Sequence, residues 1–235
     1  MMLPNVIEVA SLIGEKSRAT ILYQLMDGRM IPASELARKA GISPQTASSH
    51  LAKLIEGGLL TIEAHGRHRY YKLASSEIAS VLEGLAVIAP AVQVKSLRES
   101  DLSKKLHVAR TCYDHLAGKV GVVLAERLVA MNVIEAESFQ VTEKGLHVLQ
   151  EIGVQINRKA KTKKPLCRQC LDWSERRYHV AGVVGAALTT RLFELNWIER
   201  IPSTRAVAIT TAGKQGLADS FGLDFPSIEL PPNIG

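Results

Sequence analysis

The sequence predicts a mainly α, α+β chain in two parts, and three observations carry that prediction. Apolar residues recur at helical spacing, with good caps, through the first ninety residues, which also hold one pair of alternating, strand-like runs. A segment of the second half then repeats itself: residues 114–135 align with 178–199. Between these parts lies a polar stretch, 92–107, that reads as a linker or strut.

The first part builds in order. From Val6 to Met26 the apolar positions Ile7, Leu12, Ile21, Leu22 and Leu25 keep helical spacing, with a break at Gly14. "ASELARKA", residues 33–40, is a short amphipathic helix that Gly41 stops. "SPQTASSHLAKLIEGG" is the next one. Ser43 suits its N-cap, Pro44 its first turn, and Gly57-Gly58 end it. Two short helices joined by a glycine turn make a helix-turn-helix. On the second helix Ala47, Leu51, Leu54 and Ile55 can face a core, while Gln45, Thr46, Ser48, Ser49, His50 and Lys53 are expected to face outward. Small polar side chains on such a face suit hydrogen bonds to base edges in the major groove of double-stranded DNA. The bland alternative is a solvated face. "LLTIEAHGRHRYYKL" follows at once and reads as a hairpin turning at Gly66. A helix-turn-helix followed by a basic hairpin is a winged helix, so Arg67, His68 and Arg69 would touch phosphate or the minor groove. Ser75 then caps a helix that runs from Glu77 to Ala89, before Pro90.

Residues 5–89 resemble the winged helix-turn-helix of ArsR/SmtB-type bacterial repressors. The resemblance rests on "RATILYQLMDG", "SELARKAGISPQTASSHLAKLIEGGLL" and "GRHRYYKL" in that order. It implies a homodimer in which the first helix and the helix after the wing pack across a two-fold axis. It also implies that the two recognition helices read a palindromic operator. The sequence departs from the family's metal sensors. "SELARKAG" holds no cysteine, and "SEIASVLEGLAVIAP" offers no His or Asp. A sensor is therefore expected in the extension, within residues 108–235.

That extension carries the repeat. "DHLAGKVGVVL" matches "YHVAGVVGAAL", and "RLVAMNVIE" matches "RLFELNWIE". "VTEKG" matches "ITTAG" after a four-residue insertion. The prediction is two helix–hairpin–helix repeats, about 108–157 and 166–225, with Thr142 and Thr210 capping the closing helices. The glycines are read as packing residues. Their spacing is not a nucleotide fingerprint, and no strand precedes them.

A site between two like lobes is expected at their junction. Cys112, Tyr113, His115, Cys167, Cys170, Trp173 and His179 are its candidate lining. Cys112 and His115 would share a helical face, and Cys167-x-x-Cys170 would stand at a helix start. Several readings stay open. Cys112, Cys167 and Cys170, with His115 or His179, could hold zinc. The three cysteines alone could take a thiophilic metal or arsenite as three thiolates, a habit the family has elsewhere in the chain. Cys167 and Cys170 could be a redox pair. Trp173, Tyr113 and Tyr178 could line a pocket for a small aromatic effector. His115 and His179 stand in both copies and are read first as packing residues. No nucleophile elbow, phosphate loop or paired carboxylates are seen, so no enzyme is expected; the alternative to an effector domain is a structural metal or oligomerisation module with no effector, ahead of a Cys/His enzyme fused to the DNA-binding part.

The bounds agree with a DNA-binding regulator without requiring one. The chain has 235 residues, 46% apolar and 22% charged, and a net charge of +6. Residues 93–165 carry thirteen Lys/Arg against eight Asp/Glu, whereas 1–92 carry nine against eight. The excess centres on "RKAKTKK", Arg158–Lys164, read as a solvated linker. Three cysteines make no disulfide framework, and no secretory or membrane segment is seen, so a cytoplasmic protein with no membrane partner is expected.

Overall fold

The structure, a computed structural model, describes residues 5–66, 68–90, 96–156 and 165–229. Two compact units divide the chain between Leu82 and Glu83. Arg67 and the basic run Arg158–Lys164 lie outside the described residues, and of His68 the backbone alone is described.

The N-terminal unit has the fold of a winged helix-turn-helix. Helices α1 (Val6–Ile13) and α2 (Lys16–Gln24) part at Gly14, where the apolar spacing breaks. Glu15 caps α2, and its carboxylate accepts the N–H groups of Ser17 and Arg18. Those bonds hold its carboxyl below the usual range. After the short strand β1 (Ile31–Pro32) come α3 (Ala33–Ala40) and α4 (Pro44–Glu56). Gly41 ends α3 at φ 66°, which glycine adopts without strain, and Ser43 caps α4 by accepting from Thr46 N–H at 3.1 Å. Strands β2 (Leu60–His65) and β3 (His68–Leu73) form the wing, with Leu60 opposite Leu73, and β1 pairs with the other edge of β3. Ile21, Leu22, Leu25, Leu36, Leu51, Leu54 and Leu73 are buried and form the core on which the wing and the helices rest. Helix α5 (Ser76–Ile88) begins in this unit and runs into the next.

The C-terminal unit opens with α6 (Leu97–Val108), capped by Ser96. The polar stretch predicted as a linker is thus helical over most of its length. Hairpin β4 (Arg110–Cys112)/β5 (His115–Ala117) then leads into α7 (Gly118–Ala130) and α8 (Glu143–Glu151). Hairpin β6 (Arg168–Leu171)/β7 (Tyr178–Ala181) leads into α9 (Gly182–Glu194). Next come β8 (Ile198–Arg200), β9 (Val207–Ile209), α10 (Thr211–Phe221) and the short α11 (Phe225–Glu229). Between α7 and α8 the counterpart of β8/β9 is a single bridge, Ile134 to Val141.

The sequence reading is corrected at the start of each copy. "DHLAGKVG" and "YHVAGVVG" are strand and then helix, where a continuous helix was expected. The switch is made by Gly118 and Gly182, at φ 79° and 86°, a region that penalises any side chain. Beyond the switch the copies run alike. Thr142 accepts from Gly145 N–H and Thr210 from Gly213 N–H. Arg127 on α7 donates to the carbonyl of Phe221 on α10, and Arg191 on α9 donates to that of Ile152 after α8, each at 2.8 Å. Both copies share one apolar core, including Leu116, Val120, Leu124, Val180, Val184 and Leu188.

Candidate metal centre and nucleic-acid interface

Helix α4 is the candidate nucleic-acid interface. Its buried positions Ala47, Leu51 and Leu54 recur every three or four residues and fix which side is free. Gln45, Thr46, Ser48, Ser49 and Lys53 are exposed on the remaining surface. The Ser48 hydroxyl donates back to Pro44 O at 2.9 Å, so it meets a partner as an acceptor. His50 is corrected: expected outward, it is half-buried, with Nε2 3.6 Å from Glu15. In the wing, Arg69 is exposed, and Lys72 is held by an ion pair with Glu63 across the strands.

The second site is built from the two hairpins. A tight turn through Tyr113 and Asp114 sets Cys112 directly opposite His115, and the longer loop 172–177 sets Cys170 opposite His179. Cross-strand partners share a face of the hairpin, so each hairpin presents one thiol and one imidazole together. The sulfurs of Cys112 and Cys170 lie 4.0 Å apart, and the Nε2 atoms of His115 and His179 lie 3.2 Å apart. All four donor atoms fall within 4.8 Å of one another, and all four residues are buried. Ala117 and Ala181 pack around the sulfurs.

Cys167 does not join them. It precedes β6, and residues three apart along an extended chain point to opposite faces. Cys170 therefore enters the cluster, while Cys167 enters the apolar core, where burial pushes its thiol up to about 12. The C-x-x-C is thus not one site, and the helical face expected for Cys112 and His115 is a hairpin face. His115 and His179, read first as packing residues, do pack, but they also turn a ring nitrogen into the cluster.

Charge in the cluster is strongly organised. The hydrogen bond between the two sulfurs, with burial, holds the Cys112 thiol well above its ordinary range. The same bond lowers Cys170 against the opposing effect of burial, helped by both histidines. Burial works against charge on His179, but Asp172 and Cys170 outweigh it and bring its pKa to about 9.

Sequence reasoning passed over the residues that support this cluster. Asp172 is fully buried, with Oδ2 3.3 Å from His179 Nδ1. It also accepts from Gly118 N–H at 2.8 Å, from Ser174 and from the fully buried Arg110 at 2.9 Å. Arg110 lies against the face of Trp173, and Arg205 pairs with the buried Glu83. Trp173 is thus occupied by Arg110 and by His107, edge-on at 4.9 Å, and Tyr178 is 47% exposed. An aromatic effector pocket gains no support from these placements. The available signal was Asp172 itself, a carboxylate two residues beyond a cysteine in a chain rich in arginine.

Residues 13–63 match a family described as a helix-turn-helix domain. With the winged helix and the exposed face of α4, this defines a DNA-binding transcriptional regulator, and the chain belongs to the HTH-type transcriptional regulators. It is 50% identical over 213 residues to the uncharacterized HTH-type transcriptional regulator YdfF of Bacillus subtilis (strain 168), covering 90% of this chain and 94% of that one. Among solved structures, HlyU from Vibrio cholerae N16961 is similar at 26% identity, over 34% of this chain and 86% of its own, with a TM-score of 0.32. The cadmium metal-sensor CMTR from Mycobacterium tuberculosis is similar at 30% identity, over 38% and 93%, with a TM-score of 0.32. No helix among the described residues is long and apolar enough to cross a membrane.

Proposed function

We propose that this regulator is a cytoplasmic, effector-responsive repressor that binds a palindromic operator as a homodimer. In this reading residues 1–91 bind DNA and dimerise, 92–107 connect, and 108–235 form a duplicated effector domain. One observation carries the reading: the five polar residues of α4 stand exposed together, immediately before a hairpin with basic residues. Gln45, Thr46, Ser48 and Ser49 would meet base edges in the major groove, and Lys53 and Arg69 would meet phosphates. By sequence, Arg67 and His68 belong with them.

Dimerisation is supported by exposed apolar side chains on two helices. Val6 and Ile7 on α1 are 68% and 83% exposed, and Val81 and Ile88 on α5 are 53% and 78% exposed. A second copy of the chain would cover them. Effector binding in the C-terminal unit would act by favouring one dimer state over the other, which requires different affinities for the two.

A gel-shift series with the promoter DNA upstream of the chain's own gene tests this reading. Gln45→Ala should weaken binding to that DNA and leave binding to random DNA nearly unchanged. Arg69→Ala should weaken both and flatten the salt dependence. If the two substitutions act alike on both DNAs, the division into base-reading and phosphate-reading residues is wrong.

A further inference from the structure

Four donors from two hairpins face one point, and their spacing has a chemical meaning. A tetrahedral ion with bonds of about 2.0–2.1 Å to nitrogen and about 2.3 Å to sulfur holds its two nitrogens about 3.3 Å apart and its two sulfurs about 3.8 Å apart. The observed separations are 3.2 Å between the Nε2 atoms of His115 and His179, and 4.0 Å between the sulfurs of Cys112 and Cys170.

The rings are also aimed. Each imidazole turns Nδ1 to a carboxylate, His115 to Asp114 at 3.2 Å and His179 to Asp172 at 3.3 Å. A carboxylate hydrogen-bonded to Nδ1, as Asp114 is at His115, fixes the tautomer that offers the Nε2 lone pair to a metal, while Asp172 stands beside His179 Nδ1 as a charge. Asp172 is itself held by Arg110, Ser174 and Gly118 N–H, so this support is rigid.

The donor set selects the ion. Two sulfurs and two imidazoles suit a borderline-soft divalent cation, whereas magnesium and calcium demand oxygen. Two thiolates cancel its double charge, which suits a dry pocket walled by Ala117 and Ala181. Four protein donors complete a tetrahedron, the pattern of a closed site with no position for substrate.

We propose that Cys112, His115, Cys170 and His179 bind one divalent cation of the zinc class and that this ion joins hairpin β4/β5 to hairpin β6/β7. That the C-terminal unit responds to this ion rests on the regulator reading above. Binding of the ion is measured without DNA, so the two readings fail separately.

The test is a cobalt(II) titration of the full chain, reduced and stripped with chelator. Uptake should stop at one equivalent per chain, with thiolate-to-cobalt charge transfer and the strong visible bands of tetrahedral cobalt, and one equivalent of zinc should erase both. Cys167→Ser should titrate like the parent. Cys112→His and Cys170→His keep a donor in place, and each should bind with about half the charge-transfer intensity, because one Co–S bond of the two remains. Asp172→Asn should weaken binding about 10–100-fold while leaving the spectrum unchanged. Three results would overturn the proposal: no tetrahedral spectrum in the parent, loss of the spectrum in Cys167→Ser, or the full parental spectrum in either histidine variant.

Discussion

Along α4, Gln45, Thr46, Ser48, Ser49 and Lys53 stand in water, whereas the hairpins β4/β5 and β6/β7 bury Arg110, Thr111, His115, Asp172 and His179. The two regions supply partners for their polar groups in different ways. In α4 these side chains face solvent, so few bonds inside the protein depend on them. In the hairpins the partner must come from the fold itself. Asp172, with no exposed surface, is held by Arg110, Ser174 and Gly118 N–H, and it faces His179. Substitutions should therefore be costly for stability in the hairpins and cheap in α4.

The largest effect is expected at Asp172. Asp172→Ala leaves the Arg110 guanidinium buried, with Glu83 at 4.0 Å as its one remaining ion partner among the described residues. Breaking a buried pair in this way costs about 3–5 kcal/mol, read by urea denaturation of the full chain. A loss below about 1 kcal/mol would mean that water reaches Arg110 and that the hairpins are not the dry region described.

A smaller loss is expected at Gly185 on α9. A Cβ there would stand 2.3 Å from the carbonyl oxygen of Val180 and 3.2 Å from the His115 Cβ. Gly185→Ala should cost about 1–3 kcal/mol through overpacking. Gly121→Ala, which presses on the Leu116 carbonyl at 2.6 Å, should fall in the same range. A neutral result at both positions would show that helix and hairpin separate easily.

Next come the caps. Thr142→Ala and Thr210→Ala should each cost about 1 kcal/mol and should add in the double variant. Unequal costs would show that the two copies no longer share their mechanics. The smallest change belongs to α4, where Gln45→Ala and Ser49→Ala should move stability by no more than about 0.5 kcal/mol. A larger shift in thermal denaturation would place these side chains in the fold's own network and erase the contrast with the hairpins.

The same contrast explains what the sequence made legible. The Ser43 cap, Pro44, the Gly41 stop and the burial of Ala47, Leu51 and Leu54 all follow from local rules, and α4 is observed where those rules put it. His50 departed because a tertiary partner, Glu15, drew it inward. The hairpins were not legible. Strands of three or four residues carry almost no alternation, and "HLAGKVGVVL" has enough helix formers to read as one helix. The left-handed turn at Gly118 depends on packing that no short window contains. Spacing alone favoured grouping Cys167 with Cys170, but strand geometry separates them. Spacing also hid the likeness of Cys112–His115 to Cys170–His179, three residues apart in one copy and nine in the other. The longer loop of β6/β7 absorbs that difference.

Each hairpin supplies two of the four clustered donors, one sulfur and one nitrogen. Two such hairpins are needed to complete the set of four. The two hairpins close differently. One hairpin closes through Tyr113 and Asp114 alone. The other carries a loop in which Asp172 and Ser174 grip Arg110 of the first copy and Trp173 lies against it. The donors are arranged alike in the two hairpins, and the loop is where the hairpins differ.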